Sequence, residues 1–317
     1  VTKKVAFLFP GQGAQYPGMA KDFYDTFSEA KEVFDAADRI LRYSLSDLIF
    51  NGPMETLTQT RHSQPAIFVS SIAILAVINR HFPALKPFAC AGLSLGEYSA
   101  LCAAGALTFD EALPLVQARA QLMHSACEAH KGTMAVALGL TDEAAMDVVK
   151  KAALPNDLWA ANFNCPGQVV FSGTSNGIER AIELAKQAGA RRVMPLQVHG
   201  AFHSGLMQEA ADRLEVQLEK TAFKTPSCPV ISNVTGDFVT DPAELKGLLK
   251  EQVTLPVLWR KGIETLQSSG ATLFIEIGCG KVLTGLNKRI GVLGHTLSIE
   301  KVSEIENLTQ ILDKEGD

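Results

Sequence analysis

The feature that narrows the fold most is a five-residue turn, Gly92-Leu93-Ser94-Leu95-Gly96, placed directly after the apolar run PFACAGL and directly before a helix-forming stretch of small residues. A chain that passes from a buried strand into a helix over so few residues turns sharply at its middle position. Glycines two places to either side keep the strand and the helix from colliding. The amide of Leu95 then shares its space with the Ser94 hydroxyl, at the positive end of a helix dipole, where it suits a developing oxyanion. A plainer reading fits the same letters: Ser94 and Glu97 also spell the S-x-x-E capping box common at helix starts, with no chemistry attached.

The segments around this turn alternate between strand and helix. KVAFLF (Lys4 to Phe9) is a β-type run closed by Pro10 and Gly11, and helical spacing follows from Met19 to Leu48. SQPAIFVSSIAILAVINRHF is apolar on nearly every side, the pattern of a helix buried at the centre of a domain, and Pro83 and Pro87 end it. The helix after the turn runs from Leu95 to Gly105. Such alternation predicts an α/β fold with a mainly parallel sheet covered on both faces.

From Thr133 the pattern changes. TMAVALGL, TDEAAMDVVKKA capped by Thr141, DLWAANF, QVVFSG after an Asn164-Cys165-Pro166-Gly167 turn, SNGIERAIELAKQAG and RRVMPLQV form a β-α-β-β-α-β series, the ferredoxin-like split motif. Helix and strand then resume, as in TLFIEIG followed by KVLTGLNKRI. The expected organisation is a discontinuous large domain, residues 1–129 and 199–317, with a ferredoxin-like small domain inserted at 130–198. A chain of 317 residues is long enough for two such cores.

Composition removes several functional classes. A net charge of −5 offers nucleic acid no global attraction. The longest apolar stretch, Ala66 to Ile78, spans only about 20 Å as a helix, against about 30 Å of bilayer hydrocarbon, so no membrane span is expected. Near the amino end, Pro10 and a glycine loop interrupt the apolar run before it takes signal-peptide form. Six cysteines, none in a C-x-x-C pair, give no zinc ribbon or thioredoxin motif and suit a reducing, cytoplasmic setting. Two glycine loops also fail as nucleotide fingerprints: Tyr16 occupies the third glycine position after Gly11 and Gly13, and Val282 replaces the P-loop Ser or Thr after Lys281.

A serine hydroxyl needs a base, and the chain has seven histidines. His62, His81, His124 and His130 fall near helix ends or in polar stretches. His203, in HGAFHSG, lies where the inserted domain returns to the large one, a place where clefts form, and His199 is its rival from the same loop. Arg119 sits on an apolar helical stretch. Either its head reaches water or pairs with Glu111 or Glu128, or it forms a two-pronged grip on a substrate carboxylate.

Eight separated segments, PGQGAQYPGM, SQPAIF, GLSLGEYSAL, the arginine of VQARAQLM, NFNCPGQVVFSG, GAFHSGLM, SNVTG and QVTLPVLW, resemble in that order the malonyl-CoA:acyl carrier protein transacylases, over a span from near Phe7 to near Leu286. The resemblance implies an α/β-hydrolase-like large domain beside the ferredoxin-like one, with Ser94 as nucleophile, His203 as base and Arg119 on the malonyl carboxylate. It further implies an oxyanion hole from the amides of Gln12 and Leu95, and a Gln252 carbonyl orienting the imidazole. Gln64 and Asn162 would line the pocket, and Phe202 is the side chain associated with malonyl over methylmalonyl units. The implied substrates are malonyl-CoA and an acyl carrier protein bearing a phosphopantetheine thiol, handled by a monomer with no bound cofactor and no metal. Two positions depart from the family: Leu93 stands where histidine is usual, and Cys279 where proline is common. Arg191, Arg192, Lys281, Lys288 and Arg289 are candidates for a basic rim that meets the acidic carrier. The rival enzyme is a serine hydrolase such as a thioesterase, whose histidine comes late in the chain; His295 is the one candidate for it.

Overall fold

Alternation within the first strand shows how the fold is organised. In β1 (Lys4–Phe9), Val5, Phe7 and Phe9 join one apolar core while Ala6 and Leu8 join another, as the two-residue period of a strand covered on both faces requires. The computed structural model describes residues 3–313, so the outermost ends of the expected domain ranges, residues 1–2 and 314–317, lie outside the described residues.

Before the second strand come α1 (Lys21–Thr26), α2 (Ser28–Leu41), α3 (Leu45–Asn51), α4 (Met54–Thr58) and α5 (Thr60–His81). The helix α5 is long and apolar enough to cross a membrane by length and composition, and 83% of its most apolar window is buried inside the protein. Its 22 residues span about 33 Å; it begins at Thr60, three residues before the expected SQPAIFVSSIAILAVINRHF segment, and ends at His81, one residue before that segment does. Next come β2 (Ala89–Gly92), α6 (Gly96–Ala103) and α7 (Phe109–Ala129), the last opened by a capping box between Thr108 and Glu111.

The middle of the chain folds as β3 (Thr133–Leu138), α8 (Asp142–Ala152), β4 (Leu158–Cys165), β5 (Gln168–Gly173), α9 (Ser175–Gln187) and β6 (Arg192–Pro195). The four strands form their own antiparallel sheet in the order β4-β5-β3-β6. Thr141 caps α8, accepting from the Ala144 amide. Ala135, Ala137, Val169 and Phe171 pack with Val148 of α8 and Ile178 of α9 on one face, while Met134, Val136 and Val170 turn the other way into the main core. The β4 strand is also tied to the segment before α12 (Trp259–Ser268) by Phe163 N to Val257 O and Val257 N to Ala161 O, 2.9 Å each.

The remaining elements are α10 (Gln208–Lys220), β7 (Val230–Ile231), β8 (Phe238–Val239), α11 (Pro242–Gln252), α12, β9 (Ala271–Ile277), α13 (Val282–Ile290), β10 (His295–Ile299) and α14 (Ile305–Asp313). They complete a six-stranded sheet in the order β10-β9-β1-β2-β7-β8, parallel except for the β7-β8 hairpin pair. Phe9 lies opposite Gly92, and the ladder extends one bond further through Leu93 N to Phe9 O, 3.0 Å. The loops after β1 and β2 therefore leave the sheet side by side, at the carboxyl ends where open α/β sheets form ligand crevices.

Candidate active site

Ser94 sits at the tip of the β2-to-α6 turn with φ of 51°, a left-handed conformation that non-glycine residues seldom adopt. The flanking glycines have a steric reason. A Cβ on Gly92 would come 1.9 Å from the Gly96 carbonyl group, and one on Gly96 would come 2.2 Å from the Phe9 oxygen. His203 is likewise left-handed, with φ of 55°, in the loop that follows β6. Ser204 stabilises that loop by donating to the Ala201 oxygen at 2.6 Å and accepting from the Leu206 amide. Strained backbone of this kind persists where the surroundings hold it in place, and here the two strained residues meet: Ser94 Oγ lies 2.9 Å from His203 Nε2.

The imidazole is oriented from behind. His203 Nδ1 lies 2.7 Å from the carbonyl oxygen of Gln252, the last residue of α11, whose end-of-helix carbonyl has no partner within the helix. With Nδ1 as the N–H donor, Nε2 is left as the acceptor facing the serine. The negative end of α11 also favours positive charge on the ring once it takes a proton. Burial and the nearby Arg119 charge act the other way and lower the His203 pKa to about 4.

Arg119, near the middle of α7, is 1% exposed and forms no ion pair with any described residue. The surface alternative fails, since Glu111 caps α7 and Glu128 pairs with Lys131. The guanidinium instead donates through Nη1 to Gln64 Oε1 at 2.5 Å, and through Nη2 to Gln252 Oε1 at 2.9 Å and Ser94 Oγ at 3.0 Å. Its carbon stands 5.5 Å from the centre of the Tyr98 ring. A charge held this deep by neutral acceptors is set up to receive an anion.

Ser94, His203, Arg119, Gln12, Gln64, Asn162 and Phe202 all line one cavity of about 270 Å3 between the two sheets, with Leu93, His199 and Val282 also on its wall. Gln252 and Leu95 are fully buried and lie outside that lining. The backbone amides of Gln12 and Leu95 donate to no acceptor among the described residues. His199 is exposed on the cavity wall and has no hydrogen bond to Ser94, so it is His203 that the fold brings to the serine. Arg191, Arg192, Lys281, Lys288 and Arg289 are all exposed; Lys281 pairs with Glu304 and Arg289 donates to Gln168.

The capping-box reading of Ser94 and Glu97 does not hold. The residue before α6 is Leu95, with no side-chain cap, and Ser94 Oγ is committed to His203 and Arg119. Glu97 turns inward, where Oε2 accepts from Gln252 Nε2 at 2.7 Å and from the Asn233 amide at 3.1 Å. Asn233 had no role in the sequence reading beyond its place in SNVTG. Its Oδ1 accepts from the Ser94 amide at 2.6 Å and its Nδ2 donates to the Gly92 oxygen at 2.7 Å, so one side chain clamps both sides of the turn.

Residues 6–290 match the family model of the acyl transferase domain, and within them the fold brings a partly buried serine at a strand-to-helix turn against a buried imidazole and a buried guanidinium on the same oxygen. The malonyl CoA-acyl carrier protein transacylase of Bacillus subtilis (strain 168) is 46% identical over 315 residues, which cover 99% of each chain. A crystal structure of an acyl carrier protein S-malonyltransferase from Vibrio cholerae superposes with a TM-score of 0.92 at 41% identity, covering 96% of this chain and 99% of that one. A structure of a type II PKS acyl-carrier protein in complex with its malonyl-transacylase matches with a TM-score of 0.92 at 37% identity, covering 97% of this chain and 99% of that one. The chain belongs to the malonyl-CoA:acyl carrier protein transacylase family.

Proposed function

We propose that this enzyme moves a malonyl group from malonyl-CoA to the phosphopantetheine thiol of an acyl carrier protein by a ping-pong route through a malonyl ester on Ser94, supplying extender units for fatty acid biosynthesis. The reading rests above all on one observation: a single serine oxygen lies 2.9 Å from an imidazole nitrogen and 3.0 Å from a buried guanidinium nitrogen. It takes the large domain, residues 1–129 and 199–317, as α/β-hydrolase-like and residues 130–198 as ferredoxin-like, with the acyl group bound between them in a cytoplasmic monomer.

In the first half-reaction His203 Nε2 takes the hydroxyl proton as Ser94 Oγ attacks the thioester carbon. The amides of Gln12 and Leu95 receive the oxyanion. As the carbonyl re-forms, the carbon–sulfur bond breaks and the coenzyme A sulfur leaves with the proton from the imidazolium. The second half-reaction runs the same steps in reverse with the carrier thiol: His203 deprotonates it, the thiolate attacks the ester, and Ser94 Oγ recovers its proton. Each step balances as acyl and proton transfer, without a change of oxidation state. Arg119 pairs with the free carboxylate of the malonyl group, and Phe202 limits the room beside it.

Intact-mass measurement after exposure to malonyl-CoA should show one malonyl group added per chain, discharged by carrier protein to malonyl-carrier, with parallel lines in double-reciprocal plots. Release of free malonate at the rate of CoA formation would instead make the enzyme a hydrolase, and absence of an adduct together with intersecting lines would sink the ping-pong scheme.

The pH dependence follows from the state of the base. Only neutral His203 accepts the serine proton, and burial together with Arg119 holds its pKa near 4. Measured in Glu97→Gln, which removes the buried carboxyl whose pKa burial raises to about 7, malonyl kcat/KM should therefore show no acid limb at the ordinary histidine value of about 6.5, and should fall only as pH drops through about 4. A pH–rate profile, read over the range in which circular dichroism shows the protein folded, checks this; an acid limb near 6.5 would contradict it.

A further inference from the structure

We propose that Glu97 is a positioning residue for acyl transfer: its carboxylate fixes the Gln252 amide in the one orientation that turns Oε1 toward Arg119, and so holds the guanidinium, the base and the nucleophile in a common frame. This rests on the function proposed above, because it assigns Arg119 to the acyl carboxylate.

Glu97 is 1% exposed and its side chain makes no capping bond at the start of its own helix. A side chain needed only to fill space there would be apolar, since burying a carboxylate is costly unless its charge and hydrogen bonds are used. Here Oε2 carries both hydrogen bonds at a crossroads, while Oε1 has no partner among the described residues. Gln252 Nε2 donates to Glu97 Oε2 at 2.7 Å and to the Ser94 carbonyl oxygen at 3.1 Å, which leaves Oε1 to accept from Arg119 Nη2 at 2.9 Å. Turning that amide over would set its NH2 against the guanidinium and its oxygen against the carboxylate, two clashes of like polarity. The carboxylate thus selects the arrangement that aims Arg119. Gln252 also supplies, through its backbone carbonyl, the acceptor for His203 Nδ1.

A second arm reaches the nucleophile. Glu97 Oε2 also accepts from the Asn233 amide, and Asn233 Oδ1 in turn receives the Ser94 amide. Both backbone polar groups of Ser94, its N–H through Asn233 and its C=O through Gln252, are therefore held by residues anchored on one carboxylate. Ionised, Glu97 is also the near countercharge for Arg119, which has no ion-pair partner of its own. Burial raises the carboxyl pKa to about 7, while the Gln252 and Asn233 bonds and Arg119 pull it back down.

The test uses the ratio of malonyl to acetyl loading on Ser94 in single turnover, read by intact mass. That ratio does not depend on how much of a variant is folded, so a merely structural role leaves it unmoved. Glu97→Ala should lower the malonyl-to-acetyl ratio by about tenfold or more, the worth of a charge-assisted contact on Arg119. Glu97→Gln should recover most of the ratio, because an amide oxygen can still accept from both Gln252 and Asn233. Gln252→Ala, which keeps the carbonyl that faces His203, should lower the ratio as Glu97→Ala does, and the double variant should lower it no further. A wild-type ratio in folded Glu97→Ala overturns the proposal, as does a double variant in which the two losses multiply. If Glu97→Ala does not fold, Gln252→Ala and Glu97→Gln decide: a ratio unchanged in the first or collapsed in the second overturns it. Failure of the wild-type enzyme to form a malonyl ester would refute the underlying function instead, and Ser94→Ala serves as the blank that separates the two failures.

Discussion

Ser94→Ala is expected to form no malonyl adduct and to lose malonyl transfer by about 10^4-fold or more, the scale seen when a covalent nucleophile is removed from a hydrogen-bonded unit. The fold should survive, because alanine and serine are held in the same left-handed backbone at φ of 51° and neither carries a bulky Cβ branch. Ser94→Gly sharpens the test. Glycine adopts that conformation without strain, so this variant should be as inactive as alanine yet stabilised by about 1 kcal/mol, provided the relief of strain exceeds glycine's extra entropy loss on folding. A thermal melt beside the intact-mass assay reads both effects. Residual adduct on either variant would place the acyl group on another residue.

A serine held in strained, left-handed backbone bears on how much could be read from the sequence. The turn itself was legible, because Gly92 and Gly96 are required by contacts with the nearest backbone and no other residue satisfies them. The alternation of strand and helix and the β-α-β-β-α-β series were legible for the same kind of reason: apolar periodicity and caps such as Thr141 are local. The meeting of Ser94 with His203 was not local. It depends on where the four-stranded sheet returns the chain: local pattern left His199, four residues away, as a rival, the family resemblance pointed to His203, and the geometry puts the His203 ring beside the serine and His199 at the exposed wall.

Polar residues buried by tertiary contacts were the hardest to read. Glu97 spells a helix cap in one dimension and serves instead as an acceptor for groups about 140 to 160 positions away in the chain. Asn233 sits in a stretch that reads as a turn, and its double clamp on Ser94 and Gly92 has no signature within five residues of it. Arg119 carried a warning in its apolar surroundings, but its acceptors, Gln64 and Gln252, come from two other helices. Local pattern identifies residues that are costly where they stand, and the fold decides what offsets that cost.

Arg119→Ala tests that principle with the largest change in selectivity. Two charge-assisted hydrogen bonds to a malonyl carboxylate, at about 1.5–3 kcal/mol each, predict a loss of about 10^2-fold or more in malonyl kcat/KM. Acetyl transfer should suffer far less. In the wild type an acetyl group leaves the buried guanidinium without a countercharged ligand, a deficit of the order of 3–5 kcal/mol that the variant no longer carries. Removing the cation also withdraws one of the two causes that depress His203, so the acid limb of the variant should move up from about 4 toward the ordinary histidine range. Arg119→Lys should restore charge without the fork. A single ammonium cannot serve Gln64 Oε1, Gln252 Oε1 and a carboxylate with the same geometry, so malonyl transfer should recover only in part. Competition between malonyl-CoA and acetyl-CoA, measured with a pH profile for each variant, reads all three effects. An unchanged malonyl-to-acetyl preference in Arg119→Ala would take the guanidinium out of substrate selection and leave its three hydrogen bonds as a purely structural arrangement.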